Sequence, residues 1–127
     1  MNKHLILIDD DPIYRFIIEK MAYIVYPAIN IHHCENGLKG IDCIKSLVDI
    51  DNEIIILLDI NMPVLDGWGM LEELKSNNII DKNVSVFLVS SSTDEEDIIR
   101  SKSYDFIKNF FHKPLSIEVI QSIIFQD

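Results

Sequence analysis

Residues 4–15 read HLILIDDDPIYR. Four consecutive aliphatic residues, Leu5 to Ile8, run straight into three aspartates and a proline. A short continuous apolar run suits a strand that is covered on both faces. Asp11 followed by Pro12 reads as a helix start, because the carboxylate caps the first free amides and proline is preorganised for the first helical position. Asp9 and Asp10 lack that structural reason. They set charge at the end of a buried strand.

The same pattern recurs along the chain. Apolar runs at Ile29–Cys34, Ile54–Leu58, Val84–Val89 and Phe110–His112 predict four more strands. Helical spacing fills the intervals. Ile13, Phe16, Ile17, Met21 and Ile24 make one apolar stripe, the face that a surface helix turns to its core. A second helix is predicted from Leu38 to Val48 after the turn signal Asn36-Gly37. A third begins near Trp68 with Asp66 as its cap, and a fourth opens on the capping-box spacing Thr93 to Glu96. A fifth starts at Ser116, beyond Lys113-Pro114. Five strands alternating with five helices predict an α/β fold: a doubly wound, five-stranded parallel sheet of flavodoxin-like order 2-1-3-4-5, with helices on both faces.

The 127 residues suit a single domain, with no output domain expected. A composition of 48% hydrophobic and 25% charged residues argues against disorder. No apolar run approaches the ~18 residues that cross a bilayer. Leu5–Ile8 is too short for a secretory core, so a cytoplasmic protein with no membrane partner is expected. With 11 basic and 21 acidic residues, the net charge of −10 repels nucleic acid. Cys34 and Cys43 have no CxxC spacing and read as reduced, partly buried thiols. His32 and His33 are adjacent on a strand, so they point to opposite faces rather than to one metal ion.

In such a sheet ligands bind beyond the carboxyl ends of the strands, at the switch point between strands 1 and 3. There the sequence places Asp9 and Asp10, Asp59 and Asn61, Ser90, and Lys113. Carboxylates ~4 Å apart repel by about 4 kcal/mol per pair at an effective dielectric near 20. Such a cluster takes up a proton or a cation. An all-oxygen site suits Mg²⁺, with Mn²⁺ as a substitute. A dication beside a carboxylate neutralises and orients a phosphoryl group. Asp59 is then the nucleophile, Lys113 a point charge on one phosphoryl oxygen, and Ser90 a hydrogen-bond donor to another. In LLDINMPVLDGWGM, Pro63 fixes a turn and Gly67 allows close approach or positive φ at the helix entry. A flavin carrier of this architecture needs a phosphate-cradling loop after strand 1, where this chain has repelling aspartates.

The segments ILIDDDP, LLDINMPVLDGWGM, VFLVSSS and HKPL, in this order and spacing, resemble the receiver domain of bacterial two-component response regulators over essentially the whole chain. The resemblance implies a phosphoacceptor and not a turnover enzyme, phosphorylated on Asp59 by a sensor histidine kinase or histidine phosphotransfer protein. It implies Mg²⁺ on Asp10, Asp59 and the backbone carbonyl of Asn61, with Asp9 engaged through water, and phosphoryl contacts from Ser90 and Lys113. It further implies a switch residue at Phe110, control of dephosphorylation by Asn61 and Ser92, and a downstream protein reading the helix 4–strand 5–helix 5 face. The alternative is a receiver-like interaction module that phosphorylation does not control.

Overall fold

The computed structural model describes residues 2–49, 51–62, 65–80, 83–91 and 95–126. Pro63, Ser92 and the Thr93 capping position lie outside the described residues. The elements are β1 (Asn2–Ile8), α1 (Pro12–Val25), β2 (Asn30–Cys34), α2 (Gly37–Leu47), β3 (Asn52–Asp59), α3 (Gly67–Ser76), β4 (Val84–Ser90), α4 (Glu95–Ser101), β5 (Ile107–His112) and α5 (Ile117–Phe125). All strand pairs are parallel, in the order β2-β1-β3-β4-β5.

Local chemistry sets the helix starts. Asp11 accepts from the amides of Ile13 and Tyr14 with Pro12 in the first turn, Asn36 caps α2, Asp66 caps α3 and Ser116 caps α5. The central strands are apolar throughout because both faces are covered. Their side chains alternate between two cores. Ile6, Ile8, Ile54, Ile56, Leu58, Val86 and Leu88 meet α2 and α3 through Ile41, Ile44, Met70, Leu71 and Leu74. Leu5, Leu7, Ile55, Leu57, Phe87 and Val89 meet α1 and α5 through Ile18, Ala22, Ile120, Ile123 and Ile124. No helix among the described residues is long and apolar enough to cross a membrane.

The expected orientation of α1 is overturned. Its buried residues are Ile18 and Ala22, whereas Ile13 and Ile24 are each 71% exposed and Phe16 is 55% exposed. The reason is that α1 is apolar on two faces. Tyr14, Ile18, Met21, Ala22 and Val25 also recur at helical spacing, and these pack with the α1/α5 core.

One irregularity matters for the site. The β4–β5 register runs Val86↔Ile107 and then Phe87↔Asn109, so β5 carries one extra residue, Lys108. Such a bulge flips the faces that follow it. Ile107 and Phe110 therefore pack on the same α2/α3 core, and Phe111 turns to the α1/α5 core.

Candidate functional site

Register brings the predicted residues together. Ile8 pairs with Leu58, so Asp9 and Asp59 stand side by side one position further on. Ser90 ends β4 opposite His112, and its carbonyl accepts from the Lys113 amide at 2.9 Å. Leu5 and Leu7, Ile55 and Leu57, and Phe111 all face the α1/α5 side. Two-residue alternation carries that side forward to Asp9, Asp59 and Lys113.

The side chains meet there. Asp9, Asp10 and Asp59 each offer one carboxylate oxygen, all within 4.8 Å of one another. Asp9 and Asp59 are buried and Asp10 is exposed, which leaves the cluster open on one side. Lys113 Nζ donates to Asp9 Oδ2 at 2.7 Å and lies 3.5 Å from Asp59 Oδ2. The Asn61 amide donates to Asp59 Oδ1 at 3.0 Å, and Asn61 Nδ2 donates to the fully buried Ser90 Oγ at 3.0 Å. Asp9 Oδ1 accepts from the Asp11 amide at 2.9 Å, which ties the acidic rim to the cap of α1.

The electrostatics follow from this packing. Burial pushes the Asp59 carboxyl above its ordinary range. The Asn61 amide and Lys113 oppose the shift and Asp9 adds to it. Burial alone would lower the pKa of Lys113, but the Asp9 hydrogen bond and both carboxylates outweigh it and hold the ammonium above its ordinary value. The Lys113 ammonium thus faces two members, Asp9 and Asp59, of a three-carboxylate cluster. The donor set is hard oxygen throughout, which fits Mg²⁺ or Mn²⁺ and not zinc.

Phe110 is half-buried, sits edge-on to His112 at 5.6 Å between ring centroids, and lines a groove of about 410 Å³ between α4 and β5. Trp68 is buried at the start of α3, with the Arg100 guanidinium 4.4 Å from its ring centroid. Both cysteines are free, and burial pushes the Cys34 thiol up to about 12. His33 pairs with Glu19 at 3.1 Å, while His32 turns to His4 on the other face at 2.9 Å.

Sequence pattern singles out neither His4 nor Tyr14. His4 stands at the start of an apolar run. Tyr14 lies on α1 with its ring centroid 4.1 Å from Lys113 Nζ. Burial, then the charges of Asp9 and Asp59, push its phenol far up, so the ring is neutral.

The response regulator receiver domain model matches residues 5–125. The cell cycle response regulator CtrA of Brucella ovis is 30% identical over 123 residues, which cover 94% of this chain and 49% of that protein. The nitrate/nitrite response regulator NarL of Escherichia coli K12 is 34% identical over 95 residues, covering 75% of this chain and 41% of that protein. The chain spans about half the length of the curated relatives it matches. A two-component response regulator from Cytophaga hutchinsonii superposes with a TM-score of 0.85 at 25% identity, covering 98% of this chain and 96% of that one. With the same sheet order and the match running nearly end to end, this chain belongs to the response regulator receiver domain family, the phosphoacceptor module of two-component signalling.

Proposed function

We propose that this receiver takes a phosphoryl group on Asp59 from a histidine kinase or histidine phosphotransfer protein and signals through a separate protein. One observation carries the reading: three carboxylate oxygens within 4.8 Å of one another stand beside a single ammonium. Asp9, Asp10, Asp59 and the backbone carbonyl of Asn61 would hold Mg²⁺, which supplies charge neutralisation and orientation of the phosphoryl oxygens. A carboxylate oxygen of Asp59 attacks phosphorus while the P–N bond to the donor histidine breaks. The leaving electron pair stays on the imidazole nitrogen, which takes up a proton. Lys113 moves its ammonium from Asp9 to a phosphoryl oxygen, and Ser90 turns its hydroxyl to another.

The surroundings support a partner on each side. The rim adjoins the first turn of α1, whose outer face presents Ile13, Phe16, Ile17 and Ile24; this is the contact for the donor protein. Phe110 and the groove between α4 and β5 belong to the readout face, with Phe110 as the switch between exposed and buried rotamers. Free thiols suit a cytoplasmic location.

The test is incubation with acetyl phosphate and Mg²⁺ followed by intact mass measurement. One added phosphoryl group is expected on the protein and none on Asp59→Asn. An equal gain in the variant would move the acceptor elsewhere, and no gain in either would favour the phosphorylation-independent module.

A further inference from the structure

We infer that Tyr14 is a positioning residue for Lys113, and that the face of its ring, not its hydroxyl, holds the ammonium in line with the acceptor pocket. The inference rests on the proposed role of Asp59.

Three observations carry it. The Lys113 ammonium lies 4.1 Å from the centroid of the Tyr14 ring while it also contacts Asp9 and Asp59, so ring and carboxylates hold it together. The ring packs on the α1/α5 core and lines a small recess with Asp9, Leu57, Asp59 and Val89. The phenol oxygen is buried with no hydrogen-bond partner among the described residues. A hydroxyl that makes no bond there gives the site nothing to offset its lost hydration. The ring's π-face is what remains to act on Lys113.

The position of Tyr14 is fixed by the acidic rim itself. Asp9 Oδ1 accepts from the Asp11 amide, and Asp11 Oδ1 accepts from the Tyr14 amide at 3.3 Å. Two hydrogen bonds thus connect the pocket floor to the backbone that carries the ring. This matters because the lysine stem is flexible and its carboxylate partners are shared. A dication that binds Asp9 and Asp59 competes with the ammonium for those oxygens. It does not compete for the π-face, and a cation–π contact is strongest where water is excluded. The ring therefore keeps Nζ beside the pocket while its anionic partners change.

The test uses the full chain with saturating Mg²⁺ and acetyl phosphate, scored by intact mass over time. Tyr14→Leu is expected to lower the maximal rate roughly five- to tenfold with donor half-saturation unchanged. Tyr14→Phe is expected to restore that rate, with a melting temperature equal to or above that of the wild type. Phenylalanines with one, two or three ring fluorines at position 14 should slow the reaction stepwise, since fluorine drains the π-face at nearly constant shape. The ring-current shift of the Lys113 ε-methylene in NMR spectra reads the contact without phosphorylation and should vanish in Tyr14→Leu. A full rate in Tyr14→Leu, a Phe variant as slow as the Leu variant, or a rate indifferent to fluorine would overturn the inference. A wild type that gains no phosphoryl group while the ring-current shift persists would overturn the reading of Asp59 instead.

Discussion

Gly67 shows how closely α3 is pressed against the acceptor strand. A Cβ there would lie 2.5 Å from Ile60 Cα and 3.0 Å from the carbonyl oxygen of Asp59, and no rotamer change relieves a backbone clash. The sequence left close approach and positive φ as alternatives; no glycine among the described residues has positive φ, so close approach is the reason. Gly67→Ala should cost about 1–3 kcal/mol in urea unfolding. It should also slow phosphoryl uptake, because the displaced atoms adjoin Asp59. Asp9, Asp59, Ser90 and Lys113 were legible because each closes or follows an apolar run. Tyr14 was not, since its partner Lys113 becomes a neighbour only when α1 packs beside the end of β5.

At the scale of elements, α1 and the β1–β2 pair make separate predictions. Ile18 is 1% exposed, so Ile18→Ala should cost about 2–4 kcal/mol. Phe16→Glu, on the outward face, should change stability by about 0.5 kcal/mol or less and leave uptake from acetyl phosphate intact. Transfer from a phosphohistidine-bearing protein should slow. At the start of β3, beside β1, Asn52 Nδ2 donates to the Leu47 carbonyl at 2.7 Å, which leaves Oδ1 to accept from His4 Nε2 at 3.1 Å. With the His4 ring neutral, its Nδ1 then accepts from His32 Nε2. Burial, with His4 and His33 beside it, lowers the pKa of His32 below its ordinary 6.5, so the fold favours the neutral ring. Its contribution to stability is complete above 6.5 and is lost as pH falls through the lowered folded value. In thermal melts across that range, His32→Gln should flatten the acid-side decline.

For the whole molecule, an acidic pocket in a chain of net charge −10 should make stability depend on dications. Burial disfavours the ionised Asp59, and Asp9 adds to the cost. Without Mg²⁺, Asp59→Asn should raise the melting temperature, since Lys113 retains its 2.7 Å bond to Asp9. With Mg²⁺ at a hundredfold excess over Kd, the wild type should gain about 2.7 kcal/mol. The Asn variant should gain less, because one ligand is gone. Calorimetric melts with and without Mg²⁺ check both signs.

The alternation of strands and helices, the starts of α1, α2, α3 and α5 and the acidic rim were legible in the sequence alone, because each rests on neighbours a few residues apart: a short apolar run, a capping side chain, a carboxylate directly after a strand. Strand order followed from the usual winding of such an alternation, not from local residues. The rotation of α1 was decided only in the folded chain. Two of its faces are apolar, so periodicity cannot choose between them, and packing against the sheet and α5 selects Ile18 and Ala22. The extra residue at Lys108 likewise has no local signature. It exists only as a mismatch with β4, yet it sets Phe110 toward the α4 groove and Phe111 toward the opposite core, next to which Lys113 enters the pocket.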